Sequence, residues 1–143
     1  MKFLSFLFGL FRKPAAPKPR IVVDGSNVMH WGGDPSVKVL HSVLADLSGP
    51  IVFFDANVGY KLMGKHMDAE DLAPLLGLTP TQITIAPSGT QADGLLLDYA
   101  AKHRLRVVSN DRFRDWTVKH RWVRKKGRVV RGDWKSGRVV WAG

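Results

Sequence analysis

From Arg20 onward the chain alternates short β-branched apolar runs with longer stretches whose apolar residues recur every three or four positions. Residues 20–23, 51–54 (IVFF), 82–86 (QITIA) and 105–109 (LRVVS) read as strands. Residues 35–47, opened by Pro35, residues 68–76, limited by Pro74, and residues 91–103 read as helices. Strict alternation predicts parallel strands, and so a three-layer α/β fold of Rossmann-like kind with helices on both faces of one sheet. The final segment changes character. GRVV recurs ten residues apart around Gly-Asp-Trp-Lys-Ser-Gly, which predicts a basic C-terminal β-hairpin whose two strands are the two copies.

The first residues follow neither period. MKFLSFLFGLF carries phenylalanine at 3, 6, 8 and 11, and RKPAAPKPR after it reads as an extended basic linker. The expected division is therefore residues 1–19, an apolar segment plus linker, and residues 20–143, one domain. The apolar run is too short to span a bilayer as a helix and lacks the charge balance and cleavage site of a signal peptide. A cytoplasmic protein is expected. Residues 1–13 would serve either as a weak interfacial membrane tether, with Arg12, Lys13 and Lys18 near anionic headgroups, or as a docking segment for a protein partner. Oligomeric state is not legible.

Composition narrows the chemistry. At 143 residues and 45% hydrophobic the chain can bury one core. It has no cysteine, which excludes disulfides, thiolate zinc sites and cysteine nucleophiles, and leaves oxygen or imidazole to hold any metal. The net charge of +10 is uneven: residues 102–143 hold 14 of the 22 Lys and Arg but only the acids Asp111, Asp115 and Asp133. A basic surface beside an acidic cleft suits a polyanionic substrate, although simple solubility is the blander reading.

Each predicted strand runs into polar groups. Asp24 and Asn27 follow the first, Asp55 and Asn57 the second; Asp93 opens the helix after the third; Asn110, Asp111 and Asp115 follow the fourth. Parallel strands would deliver all of these to one edge, where α/β sheets bind ligands. Asp111 and Asp115, four apart, would share a face if they lay on a short helix. Carboxylates so gathered raise one another's pKa unless a cation sits among them, and Mg²⁺ or Mn²⁺ would fit an all-oxygen set and activate a water.

Every acid also has a local reading. Asp24 before Gly25 could end a strand in a turn, Asp93 could close a capping box begun by Thr90, and Asn110 or Asp111 could cap a helix over RFRDW. Asp46, Asp68, Glu70, Asp71 and Asp98 read as solvated helix residues, and Asp55 stays open. Arg112 and Arg114 either hold a phosphate beside the metal or pair with acids. Lys119, His120, Arg121, Arg124, Lys125 and Lys126 form a patch able to follow a nucleic-acid backbone. Trp31, Trp122 and Trp134 either stack on bases or pack internally.

VVDGSNV at 22–28, the helix-opening Asp of QADGLLLDYA, and VVSNDRFRDW at 107–116 together resemble the NYN branch of the PIN-like nucleases, in particular the regnase-type (CCCH zinc-finger ribonuclease-like) endoribonucleases, over about residues 20–130. The resemblance implies a parallel sheet flanked by helices and an acidic Mg²⁺ or Mn²⁺ pocket that hydrolyses single-stranded RNA. It makes Asp24 a principal metal ligand, has Asn27 orient that ligand or the attacking water, and completes the cluster with Asp93, Asp111 and Asp115. Two departures stand out: Ala92 occupies the position where the family often has a second Asp, and a chain without cysteine has no CCCH finger. Substrate recognition must then come from the domain itself or from partners.

Two rival classes set the alternatives. A catalytically inactive RNA-binding module would keep the fold and the basic patch. A small-molecule phosphohydrolase would need Asp-x-Asp after the first strand, where this chain has Asp24-Gly25-Ser26.

Overall fold

The computed structural model describes residues 18–142, so the expectation for residues 1–13 lies outside the described residues. Among the described residues, no helix is long and apolar enough to cross a membrane. Five strands, β1 (Ile21–Asp24), β2 (Pro50–Phe54), β3 (Ile83–Ile85), β4 (Arg106–Val108) and β5 (Val129–Val130), form one sheet in the order β3-β2-β1-β4-β5. All its pairings are parallel: Val22 lies opposite Ile51 on one side and Val107 on the other.

β1 and β2 are buried along their whole length, which is why they read as unbroken apolar runs rather than as alternating ones. Their side chains divide between two cores by the two-residue period of a strand. Ile21, Val23, Val52 and Phe54 face one side, with Leu40, Val43 and Leu44 of α2 (Val37–Ala45) and Leu72 and Leu76 of α4 (Ala69–Leu76). Val22, Ile51, Phe53 and Val107 face the other, against Leu96, Leu97 and Ala100 of α5 (Ala92–His103). The remaining helices are the single turn α1 (Gly25–Val28) and α3 (Val58–Met63). α4 runs two residues past Pro74 and stops at Gly77, whose φ of 68° ends it in the left-handed conformation, so the glycine sets the boundary.

The C-terminal hairpin exists but is built differently from the expectation. β6 (Gly132–Lys135) pairs antiparallel with β7 (Arg138–Trp141), Trp134 opposite Val139. The first GRVV instead joins the main sheet as β5, parallel to β4. Identical strings thus enter different sheets: the first copy pairs with the edge of β4, and the second pairs with β6. Trp141 anchors the hairpin, donating from Nε1 to Asp46 at 3.0 Å and meeting Trp31 edge to face. Asp46 is therefore engaged rather than merely solvated.

Candidate active site

In the sheet order, the chain leaves β1 toward β2 and β3 and then returns to the far side for β4. The crevice at this reversal, between the C-terminal ends of β1 and β4, is the ligand-binding position of open α/β sheets. Asp24 ends β1 there, 2% exposed. Gly25 follows because any side chain would strike the Phe54 ring, so α1 can lie directly on β2. Asp24 caps that turn by accepting from the Asn27 backbone N–H at 3.3 Å, and its second oxygen accepts from Ser109 Oγ at 2.8 Å.

Ser109 is a relay. Its Oγ also accepts from the Asp111 N–H at 3.0 Å, which ties the loop after β4 to the carboxylate that ends β1. The loop is not helical. Asp111 Oδ1 accepts from the Phe113 N–H at 2.7 Å, and Phe113 takes a left-handed φ of 51° while burying its ring. Asp111 and Asp115 therefore do not share a helical face, contrary to expectation. Asp115 sits in a one-turn 3-10 helix over Arg114–Trp116, exposed to solvent. Trp116 of that turn fits over Gly94 of α5, where a side chain would collide with its ring.

Three carboxylates do converge. One oxygen from each of Asp24, Asp93 and Asp111 lies within 4.8 Å of the others, and Asp115 is not part of the group. Burial pushes the Asp24 carboxyl up to about 7 against the hold of Ser109, with Asp93 and Asp111 adding repulsion. Asp93 is raised to about 6, first by burial and then by Asp111 and Asp55. Uncompensated negative charge in an all-oxygen pocket is the chemistry a hard divalent cation relieves, so these residues fit Mg²⁺ or Mn²⁺.

Asp93 does not close a capping box. The N-cap of α5 is Gln91, without a side-chain cap, and the first free N–H, that of Ala92, is taken instead by Asp55 Oδ1 at 2.9 Å. Capping from another strand leaves Asp93 available to the cluster. Asn27, expected to orient Asp24 or water, uses its side chain differently: Oδ1 accepts from Trp31 Nε1 and from the Asn110 N–H, each at 2.9 Å. Its link to Asp24 runs through its backbone.

The basic residues separate into two groups. Arg112 and Arg114 are exposed and form no ion pair among the described residues, so the reading in which they pair with acids is not what is found. Arg121, Arg124, Lys125 and Lys126 are likewise exposed. His120 leaves the patch altogether. It is 5% exposed, bonds Asp98 through Nε2 at 2.9 Å, and accepts from Trp122 Nε1 at 3.2 Å. Lys119 also pairs with Asp98, at 3.1 Å, so Asp98 is a docking point for the C-terminal segment rather than a solvated helix residue. Of the tryptophans, half-buried Trp122 lies under Arg128, whose Cζ is 4.6 Å from its centroid, and half-buried Trp134 lies beside Gly32.

Sequence reasoning missed a clasp. Asn110 Nδ2 donates to Gly132 O at 2.8 Å, Gly132 N–H returns a bond to Asn110 Oδ1 at 3.2 Å, and Arg131 Nη1 donates to the Asp111 carbonyl at 3.2 Å. The hairpin thus holds the loop that presents Asp111. An asparagine after a strand signals capping or a turn, and nothing local signals a partner 22 positions away.

The family model of the Zc3h12a-like Ribonuclease NYN domain matches residues 17–140. The chain belongs to that family. The family is described as one of ribonuclease NYN domains. Two solved structures of the Arabidopsis thaliana nuclear protein-only RNase P 2 (PRORP2) resemble it at TM-scores of 0.67 and 0.66, both at 19% identity. The matches cover 99% and 98% of this chain but 32% and 35% of those chains. The NYN domain thus spans about a third of their length, and likeness at that identity establishes the fold. No curated protein matches the sequence.

Proposed function

We propose that the NYN domain is a divalent-cation-dependent endoribonuclease acting on single-stranded RNA. One observation carries the reading: Asp24 of β1, Asp93 of α5 and Asp111 of the loop after β4, in a chain of a ribonuclease family, bring carboxylate oxygens within 4.8 Å of one another. Asp24, Asp93 and Asp111 would hold Mg²⁺ or Mn²⁺. When bound, the ion supplies an acidified water and positive charge at the scissile phosphate.

The chain's own residues supply position. Ser109 and the Asn27 N–H fix both oxygens of Asp24, and the Phe113 N–H fixes one oxygen of Asp111, so neither rotates freely when RNA arrives. Asp115, exposed on its turn, lies outside the ligand set. Arg112 and Arg114, exposed, shortly after Asp111 and without an acid partner among the described residues, would hold the phosphates that flank the cut. Arg121, Arg124, Lys125 and Lys126 extend the basic track along the chain.

The test is cleavage of end-labelled single-stranded and duplex RNA with Mg²⁺, with Mn²⁺ and with EDTA. Wild type should cut the single strand only with metal, at internal positions, and Asp24→Asn and Asp111→Asn should abolish the products. Cleavage that survives EDTA or both substitutions overturns the site; RNA binding without any cleavage leaves an inactive binding module in its place.

A further inference from the structure

Beside the carboxylates, on the β2 and β3 side, lies a second feature to which the hydrolytic reading gives no task. A cavity of about 430 Å³ opens between the loop after β2 and the loop before α5, lined by Asp55, Asn57, Ser88, Thr90 and Gln91. Its size falls in the range of small-molecule and single-group pockets. It shares a wall with the cluster, because Asp55 bonds the first N–H of α5 and its charge acts on Asp93 one residue further along.

We infer that this cavity takes one unpaired nucleobase of the RNA, next to the scissile phosphate, and reads its hydrogen-bonding edge. The inference rests on the ribonuclease reading of the neighbouring carboxylates.

Three observations select a base over other parts of RNA. First, the exposed side chains of Asn57, Ser88, Thr90 and Gln91 line one space, and neither Asn57 nor Gln91 caps the helix it precedes, so donors and acceptors of both kinds are open to a ligand. Two of them are carboxamides, which pair with base edges through a donor and an acceptor held side by side. Second, no Lys or Arg lines the cavity and Asp55 does, so a phosphate is repelled there while an exocyclic amino group is welcome. The cationic residues follow β4, on the other side of the cluster, and the backbone and the base therefore have separate places. Third, no aromatic ring lines it. Stacking holds any base with little discrimination, whereas an edge held only by hydrogen bonds discriminates, because a wrong base leaves polar groups unpaired. Gly89, with a φ of 83° and open space where a side chain would be, adds no bulk to the lining.

The experiment is cleavage-site mapping on a randomised single-stranded RNA pool with Mn²⁺, using the full chain. Wild type should show a base preference of tenfold or more at one position adjoining the cut. Asn57→Ala with Gln91→Ala should reduce that preference to twofold or less. Asn57→Asp with Gln91→Glu, which exchanges donors for acceptors at constant shape, should move it toward bases that present an amino group. A wild type that cuts with no preference at the adjoining positions, or substituted forms that keep the wild-type preference, would overturn the pocket while leaving the nuclease intact. A wild type that does not cut fails the nuclease reading instead, so the two failures are told apart. Circular dichroism of both double variants guards against misfolding, and a variant that cuts at all reports its own preference.

Discussion

Asp24 carries opposing demands, and its ionisation shows which one the fold leaves unmet. Its folded pKa of about 7 lies above the 3.8 of an ordinary Asp, so between those values the native state holds a proton that the unfolded chain has released. Bound protons then favour the native state, and stability from this group is present at acid pH and lost as pH rises toward 7. Asp93, raised to about 6, acts in the same direction. In EDTA, Asp24→Asn should therefore melt above wild type at pH 8 by several degrees, at roughly 4 °C per kcal/mol, with the gap closing toward pH 5. Adding Mn²⁺ should reverse the order at pH 8, because only wild type keeps the buried ligand. Thermal denaturation across pH, with and without Mn²⁺, gives the comparison; a wild type that melts above Asp24→Asn in EDTA at pH 8 would contradict the account of a charge left uncompensated by burial.

At the scale of elements, the strands and helices were legible because burial on two faces leaves long apolar runs in strands and a three-to-four repeat in helices. The acids could be assigned to one edge because parallel strands have only one. Contacts distant in sequence were not legible. Asp55 as the cap of α5, Ser109 as a link between two acids, and the buried pairing of His120 with Asp98 each depend on where a second element docks. The conditional reading that put Asp111 and Asp115 on one helical face fails because i, i+4 spacing does not reveal the left-handed backbone of the buried Phe113 between them. The hairpin clasp gives this scale its prediction. Asn110→Ala removes both bonds to Gly132 and should cost about 1–2 kcal/mol in urea denaturation. Because Asp111 is the next residue, the same change should lower Mn²⁺ affinity and cleavage by about 10–100-fold, as loss of a supporting contact does. Arg131→Ala should do so with a smaller loss of stability, since it frees one exposed carbonyl. Full Mn²⁺ affinity in both variants would show that the loop holds Asp111 unaided.

For the whole molecule, the charge of +10 matters through its placement. Acids gathered at the crevice repel RNA, and cations must outweigh them without entering the pocket. Cations count toward this only if they are uncommitted: Lys119 is held by Asp98, whereas Arg124, Lys125 and Lys126 are exposed and form no ion pair among the described residues. Binding to single-stranded RNA releases counterions in proportion to the phosphates neutralised, at about 0.7 units of log-log slope per contact. Measured with Asp24→Asn to prevent cleavage, the salt dependence of RNA affinity should weaken by about 2 units when Arg124, Lys125 and Lys126 all become alanine. Lys119→Ala should change it far less, because Asp98 already answers that charge and RNA would have to break the pair to use it. Fluorescence anisotropy from low to moderate salt resolves the two slopes. An equal loss from Lys119→Ala would mean that RNA displaces Asp98, and an unchanged slope in the triple variant would move the RNA track off this segment to Arg112, Arg114 and the hairpin.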